Sequence, residues 1–88
     1  MRVPVTIGWR LAKKYNYLDN YGCPLFHGLK RAGIAVYSVS GTMYTLVSGK
    51  NYSMGLSHWN PDRQRAVVKS HRSAKFYHDT KLKRLVPA

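Results

Sequence analysis

The chain begins with apolar side chains at every second position. Residues 3–9 read VPVTIGW, a period of two that is typical of a β-strand with one buried face. Pro4 favours the start of a strand or an edge position, because proline has no amide hydrogen to donate. After this strand, Leu11, Tyr15 and Leu18 have the spacing of one helix face, which predicts one or two helical turns within residues 10–18.

A short helix is predicted over residues 24–32. Pro24 follows a turn-forming run (DNYG, 19–22) and stands where a first helical residue would. Gly33 comes directly after the last turn, which carries the cations Lys30 and Arg31. A glycine just beyond a helix and cations in its last turn are both helix-ending features.

The middle of the chain predicts strands. Residues 34–39 and 42–47 are rich in β-branched and aromatic side chains and flank a Ser40-Gly41 turn, so residues 34–48 are predicted to form a hairpin. A second turn follows at residues 48–51, and a third strand is predicted over residues 52–56.

A longer helix is predicted over residues 61–78. Asn60 has the side chain of a helix N-cap, Pro61 suits the first helical position, and Asp62 places a negative charge at the positive end of the helix dipole. On a helical wheel, small and apolar residues share one face, although Val68 and Phe76 fall on the other.

These elements predict one α+β domain over residues 1–88. We expect a small antiparallel three-stranded sheet, with its hairpin at residues 34–48, packed with the short helix 24–32 and the longer C-terminal helix 61–78. Residues 81–88 are expected to be a frayed basic tail. The order helix, three strands, helix is similar to that of a double-stranded-RNA-binding domain, and a hairpin after a short helix also resembles the wing of a winged-helix domain. Both resemblances imply nucleic-acid binding.

Charge narrows the class of partner. The chain has 15 Lys and Arg but only 3 acidic residues, all Asp, for a formal charge of +12. This balance excludes a DNA mimic, an acidic calcium-binding protein and a glycosidase built on paired glutamates. A hydrophobic content of 44% argues against disorder. An anionic partner is therefore expected, because it would relieve the self-repulsion of the folded chain.

The basic residues suggest where such a partner would bind. Arg65, Lys69 and Arg72 would lie along one line of the predicted C-terminal helix, with Lys75 nearby and no acid to offset them. We expect them to contact phosphates. The remaining candidates are Lys30 and Arg31 at the end of the short helix and Lys81, Lys83 and Arg84 in the tail. Arg10, Lys13 and Lys14 form a further basic cluster.

Three tyrosines are candidates for stacking on bases. Tyr37, Tyr44 and Tyr52 fall in the predicted sheet and could present their rings to unpaired bases. Alternate residues of a strand face the core, so packing in the interior is at least as good an interpretation for each of them.

The sequence offers little for catalysis, metal binding or export. Cys23 is the single cysteine, and the spacing Cys23-x3-His27 has no matching second pair of ligands. We expect no catalytic residues, no metal, no cofactor and no enzymatic activity. The sequence shows neither a signal peptide nor an apolar run long enough to span a membrane, so a reducing, cytoplasmic compartment is expected.

Two functions remain open at this point. The first is a non-enzymatic protein that binds DNA or RNA, contacting phosphates through the basic helix and tail. The alternative is a small basic protein-binding module or inhibitor, of the kind that phages encode, which docks on an acidic surface of a larger host protein or enzyme.

Overall fold

The fold is a six-stranded sheet with three helices. The computed structural model describes residues 1–55 and 58–88. The elements are β1 (Arg2–Gly8), α1 (Trp9–Lys14), α2 (Pro24–Arg31), β2 (Val36–Ser40), β3 (Met43–Leu46), β4 (Asn51–Ser53), α3 (Pro61–Ser70), β5 (Ser73–Asp79) and β6 (Arg84–Pro87). The strand order is β1-β5-β6-β4-β3-β2, antiparallel throughout except for the parallel pair β4–β6. The α+β class is as predicted, but the three-stranded antiparallel sheet is wrong.

The sheet curls around α2. This helix packs against both β1 and β2, which are the two edge strands of the sheet. One helix can contact both edges only if the sheet bends toward itself. The concave side encloses a core of fully buried residues that includes Ile7, Leu25, Leu29, Phe76 and Leu85. The convex side carries mostly exposed residues.

The C-terminal helix is much shorter than predicted. Its start is as expected, with Asn60 Oδ1 accepting a hydrogen bond from the amide of Arg63 at 2.8 Å. The helix ends at Ser70, where His71 takes a left-handed conformation (φ 55°) and redirects the chain. Residues 73–79 then alternate between exposed and buried positions and pair with β1 along their whole length. Phe76, which fits poorly on the wheel of a long helix, is fully buried as a strand residue.

The expected frayed tail is also wrong, because its end is an interior strand. β6 lies between β5 and β4. Asp79 organises the preceding turn: its Oδ1 accepts hydrogen bonds from the amides of Lys81 (3.0 Å) and Leu82 (2.9 Å), and its Oδ2 accepts one from Arg2 Nε at 2.9 Å. The Leu82 amide contributes most to lowering the pKa of Asp79, and Arg2 lowers it further. Through Asp79, the turn between β5 and β6 is joined to Arg2 of β1.

Several local predictions hold. The alternation at residues 3–9 belongs to β1, although Trp9 already begins α1. The short helix predicted over 24–32 is α2, with Pro24 in its first turn and Gly33 at φ 84° after its end. The hairpin within 34–48 is β2–β3. The third strand is β4, shorter than predicted, and Leu56 at the end of the predicted range lies outside the described residues.

The order of elements behind the double-stranded-RNA-binding resemblance is only part of the observed order. A strand and a helix precede α2, and two further strands follow α3 in place of a long terminal helix. The order helix, three strands, helix is present as α2, β2–β4 and α3, but these strands are half of a six-stranded sheet that also contains β1, β5 and β6, not the three-stranded sheet that the resemblance implied.

Candidate nucleic-acid interface

Helix α1 is the element that brings separate basic segments together. It packs against both α2 and α3. Gln64 of α3 donates hydrogen bonds to the carbonyls of Ala12 (3.0 Å) and Tyr15 (3.2 Å), and the rings of Trp9 and His71 lie 4.4 Å apart. These contacts run in opposite directions along the two helices, so α1 and α3 are antiparallel neighbours. Leu11 and Ala12 face the interior.

The polar side of α1 and the end of α2 form a group of exposed cations. We call this group the α1–α2 basic cluster; it comprises Arg10, Lys13, Lys14, Lys30 and Arg31. Among the described residues, the ion pairs are Arg2–Asp79 and Arg65–Asp62, neither of which includes a member of the cluster. The acidic side chain that acts on this region is Asp19, which opposes the effect of the cations on His27.

His27 lies next to the α1–α2 basic cluster. Its ring stacks on that of Tyr15, with centroids 3.7 Å apart, which joins α2 to the end of α1. Burial lowers the pKa of His27, the charges of Lys30, Arg31 and Lys14 lower it further, and the charge of Asp19 partly opposes the shift. The stack of Tyr15 on His27 and the packing of α1 against α2 place the cations of the two helices on neighbouring parts of one surface.

A cleft beside β1 adjoins this surface. Its volume is about 540 Å³, and we call it the β1 cleft. Strand β1, the start of α1, the end of α2 and the start of β5 all contribute to its lining. The lining residues are Pro4, Thr6, Gly8, Trp9, Arg10, Leu11, Gly28, Arg31, Ala32 and Ser73. Arg10 and Arg31 give it two positive charges and no residue of the lining is acidic, so the cleft favours an anionic ligand.

Glycine at position 28 lets α2 approach β1 at this cleft. A Cβ atom built on Gly28 would lie 3.2 Å from both the Thr6 carbonyl oxygen and Ile7 Cγ1. A larger residue would therefore push the helix away from the strand. The same contact covers part of the outer edge of β1.

The line of cations predicted on a long C-terminal helix does not exist. Arg65 and Lys69 are on α3 and exposed, but Arg65 pairs with Asp62. Arg72 follows the helix end, and Lys75 lies on β5. The physical reason is the left-handed conformation of His71, which ends the helix. Beyond it, side chains alternate between the two faces of a strand and no longer recur on one helix face.

The predicted tail residues lie on another part of the molecule. Lys81 and Lys83 are exposed in the turn between β5 and β6, and Arg84 begins β6 opposite Asp79. Arg84 and Lys75 share the convex face of the sheet, because directly paired residues project to the same side. Of the predicted cations, Lys30 and Arg31 alone belong to the α1–α2 basic cluster.

Two of the three predicted stacking tyrosines are in the core. Tyr44 is fully buried and Tyr52 nearly so, with their rings stacked 5.4 Å apart inside the curled sheet. Their positions in β3 and β4 project to the concave side, so neither can reach a base. Tyr37 is 58% exposed and contacts Tyr21 edge-on at 5.8 Å.

Two polar contacts in the interior involve titratable side chains. Tyr44 Oη lies 2.7 Å from Nδ1 of His78, and both residues are buried. Burial raises the pKa of Cys23, whose sulfur accepts a hydrogen bond from the amide of Phe26 at the start of α2. Across residues 1–55 and 58–88, no three His, Cys, Asp or Glu side chains are grouped as a metal site would require.

Comparisons with protein-family models, with curated proteins and with solved structures find no match. In the part of the chain that the structure describes, no helix has the length and apolar character needed to cross a membrane.

The sequence predicted part of the α1–α2 basic cluster but did not show which cations of the two helices would be neighbours. Arg10, Lys13 and Lys14 have the i, i+3, i+4 spacing of one helix face, and they stand out as a basic group. Only the packing of α1 against α2 puts them beside Lys30 and Arg31. No pattern in the sequence predicted the β1 cleft, since its lining comes from three separated segments of the chain.

Proposed function

We propose that this protein binds nucleic acid without catalysing a reaction, and that the α1–α2 basic cluster is its principal phosphate-binding surface. The observation that carries the proposal is the packing of α1 against α2, which brings the exposed cations of α1 close to Lys30 and Arg31 at the end of α2. A fold does not gain stability by gathering like charges, because they repel one another. Such a grouping is favourable when an anionic partner neutralises it.

Nucleic acid suits this surface better than an acidic protein does. The cluster carries five exposed cations on two neighbouring helices, and the aromatic rings beside them, Trp9 and Tyr15, are partly buried. Protein interfaces of high affinity depend on aromatic and apolar anchors that are desolvated at their centre. A set of exposed cations without such an anchor matches the spaced charges of a phosphate backbone, where affinity comes from the release of counterions.

A salt titration tests this function directly. Binding of the protein to fluorescently labelled duplex DNA, duplex RNA and single strands is measured by anisotropy over a range of salt concentrations, with heparin as a general polyanion. We expect micromolar or tighter binding near physiological salt. The slope of log affinity against log salt should correspond to about 4–8 phosphates.

Single charge removals locate the surface. Lys13→Gln, Lys14→Gln and Lys30→Gln should each reduce the magnitude of that slope by about 0.7–0.9. Lys50→Gln is the matched control, because Lys50 is equally exposed but lies in the turn between β3 and β4. Weak binding that is equal for every polyanion would overturn the proposal and favour an acidic protein partner, to be sought by pull-down. A larger effect from Lys83→Gln than from the cluster variants would move the site to the β5–β6 turn.

A further inference from the structure

The β1 cleft has the size of a site for a small ligand rather than for a flat duplex. Its volume of about 540 Å³ falls within the range of small-molecule and cofactor pockets. A double helix presents its phosphates on a convex surface and keeps its bases stacked inside. A nucleotide can fill a concave site only after it has left the stack, as in single strands or at flipped positions.

The lining suits one nucleotide with its phosphate. Arg10 and Arg31 supply guanidinium groups that donate hydrogen bonds to phosphate oxygens. Thr6 and Ser73 add hydroxyls, and the partly buried ring of Trp9 adds an aromatic surface. The guanidinium of Arg10 already lies 5.2 Å from the Trp9 ring centre, so charge and aromatic surface are adjacent. Lys75 pairs with Thr6 across the sheet and extends the positive charge beyond the cleft.

An added peptide strand is a poorer occupant, although β1 is an edge strand. The carbonyl of Met1 accepts a hydrogen bond from the amide of Thr80, so Met1 and the other odd-numbered residues direct their backbone groups toward β5. The even-numbered residues of β1 direct theirs away from the sheet. Pro4 is one of these residues and has no amide hydrogen to donate. Thr6 is another of these residues, and α2 approaches its carbonyl oxygen closely at Gly28. The edge therefore lacks the continuous row of donors and acceptors that strand addition requires.

We infer that the β1 cleft holds one unpaired nucleotide of a single strand, with its phosphate bound by Arg10 and Arg31, so that the protein prefers single strands to closed duplex. This inference rests on the proposed function and deepens it. The α1–α2 basic cluster supplies affinity for any phosphate backbone, and the cleft supplies the discrimination between strand forms.

The first experiment compares a thymidine homopolymer with a duplex that carries the same number of phosphates. The wild-type protein should bind the single strand about tenfold more tightly. Arg31→Gln should remove most of that preference, because it deletes a charged donor from the cleft. Lys13→Gln is the matched control: it removes the same charge from the cluster but does not line the cleft, so both affinities should fall together.

A second variant fills the cleft without changing charge. Thr6→Phe places a bulky, strand-compatible residue at an exposed position that lines the cleft. It should lower single-strand affinity about tenfold, to the level of the duplex, while duplex affinity stays at the wild-type value. Circular dichroism and urea unfolding establish that each variant is folded.

Titration of the isotopically labelled protein with thymidine 5′-monophosphate maps the site by NMR. Shifts should centre on the Trp9 indole and on the amides of Thr6, Arg31 and Ser73. Thymidine and inorganic phosphate, added separately, should give weaker shifts there. Displacement of the single strand by polyglutamate as effectively as by unlabelled strand would overturn the inference in favour of an acidic peptide.

The outcomes separate the two proposals. Equal affinity for single strand and duplex, with equal losses for Arg31→Gln and Lys13→Gln, would overturn the nucleotide site and leave nucleic-acid binding intact. The absence of salt-dependent binding to either form would overturn both. Nucleotide shifts spread evenly over all the exposed cations would also contradict a site in the cleft.

Discussion

The phenol oxygen of Tyr44 lies 2.7 Å from Nδ1 of His78 and joins β3 to β5 across the concave side of the sheet. Tyr52 packs against both rings, 5.4 Å from Tyr44 and 4.4 Å from His78. These strands are not neighbours, since β6 and β4 lie between them. The hydrogen bond therefore stabilises the curvature of the sheet and does not contribute to the pairing of neighbouring strands.

Removing that hydroxyl should destabilise the fold. Tyr44→Phe keeps the ring but leaves Nδ1 of a buried imidazole without this partner, which costs about 1–3 kcal/mol. Urea unfolding measures the loss. Tyr37→Phe is the control, because Tyr37 is mostly exposed, and its unfolding midpoint should match that of the wild type. Equal stability of Tyr44→Phe and wild type would show that the hydrogen bond contributes nothing.

Stability should fall on mild acidification because of His78. Burial lowers the pKa of His78 below its ordinary value of 6.5, although Asp79 partly opposes the shift. The unfolded chain then takes up a proton at a higher pH than the folded protein does. The contribution of His78 is complete above about pH 6.5 and decreases as the pH falls below that value.

Urea unfolding at about pH 7.5 and about pH 5.5 tests this linkage. His78→Gln retains a hydrogen-bonding side chain that does not titrate in this range, so its stability should depend less on pH. His27, whose pKa is also lowered, contributes in the same direction. An unchanged pH dependence in His78→Gln would assign the effect to His27 and contradict the role of His78.

Nucleic-acid binding should strengthen as the pH decreases. Phosphates bound at Lys14, Lys30 and Arg31 would oppose the charges that lower the pKa of His27. The pKa should therefore rise on binding, and the complex should take up a proton. We expect affinity to increase about two- to tenfold between about pH 7.5 and about pH 5.5 at constant salt.

His27→Gln is the informative variant for this coupling. It removes the titrating group but leaves every cation of the α1–α2 basic cluster in place, so its affinity should change less over the same pH range. His58→Gln is the control, because His58 precedes α3 and belongs neither to the cluster nor to the lining of the β1 cleft. Identical pH profiles for wild type and His27→Gln would contradict binding next to His27.

Gly28→Ala should destabilise the protein although alanine favours helices. Its Cβ would lie 3.2 Å from the Thr6 carbonyl oxygen and from Ile7 Cγ1, which is fully buried. We expect the crowding to outweigh the gain in helix propensity, for a net loss of about 1 kcal/mol. Gly41→Ala is the control, since a Cβ there meets nothing within 4 Å. A Gly28→Ala protein more stable than wild type would show that α2 can move away from β1.

Local chemistry alone determined where several elements begin and end. Pro24 and Gly33 bound α2 because one suits the first helical turn and the other tolerates a left-handed backbone. Asn60 starts α3 through its own side chain. The alternation of residues 3–7 defines β1, since its buried face recurs every second residue. These signals act within a few residues and are visible without the fold.

Tertiary structure decided the second half of the chain. Residues 73–79 have both a tolerable helical face and an alternating pattern, and pairing with β1 favours the strand, because Ala74, Phe76 and His78 then all face the core. The same long-range pairing makes the C-terminal residues an interior strand. The curled sheet also places Tyr44 and Tyr52 on its concave side. The sequence around these tyrosines does not show which face of the sheet they occupy.

The charge of the chain is a property of its sequence, but the site is a property of its packing. The formal charge of +12 follows from composition alone. Which cations act together depended on α1 packing beside α2, since Lys14 and Arg31 are far apart along the chain yet both act on His27. Electrostatic interaction depends on distance in space, so composition determines the net charge and only the fold determines which cations are neighbours.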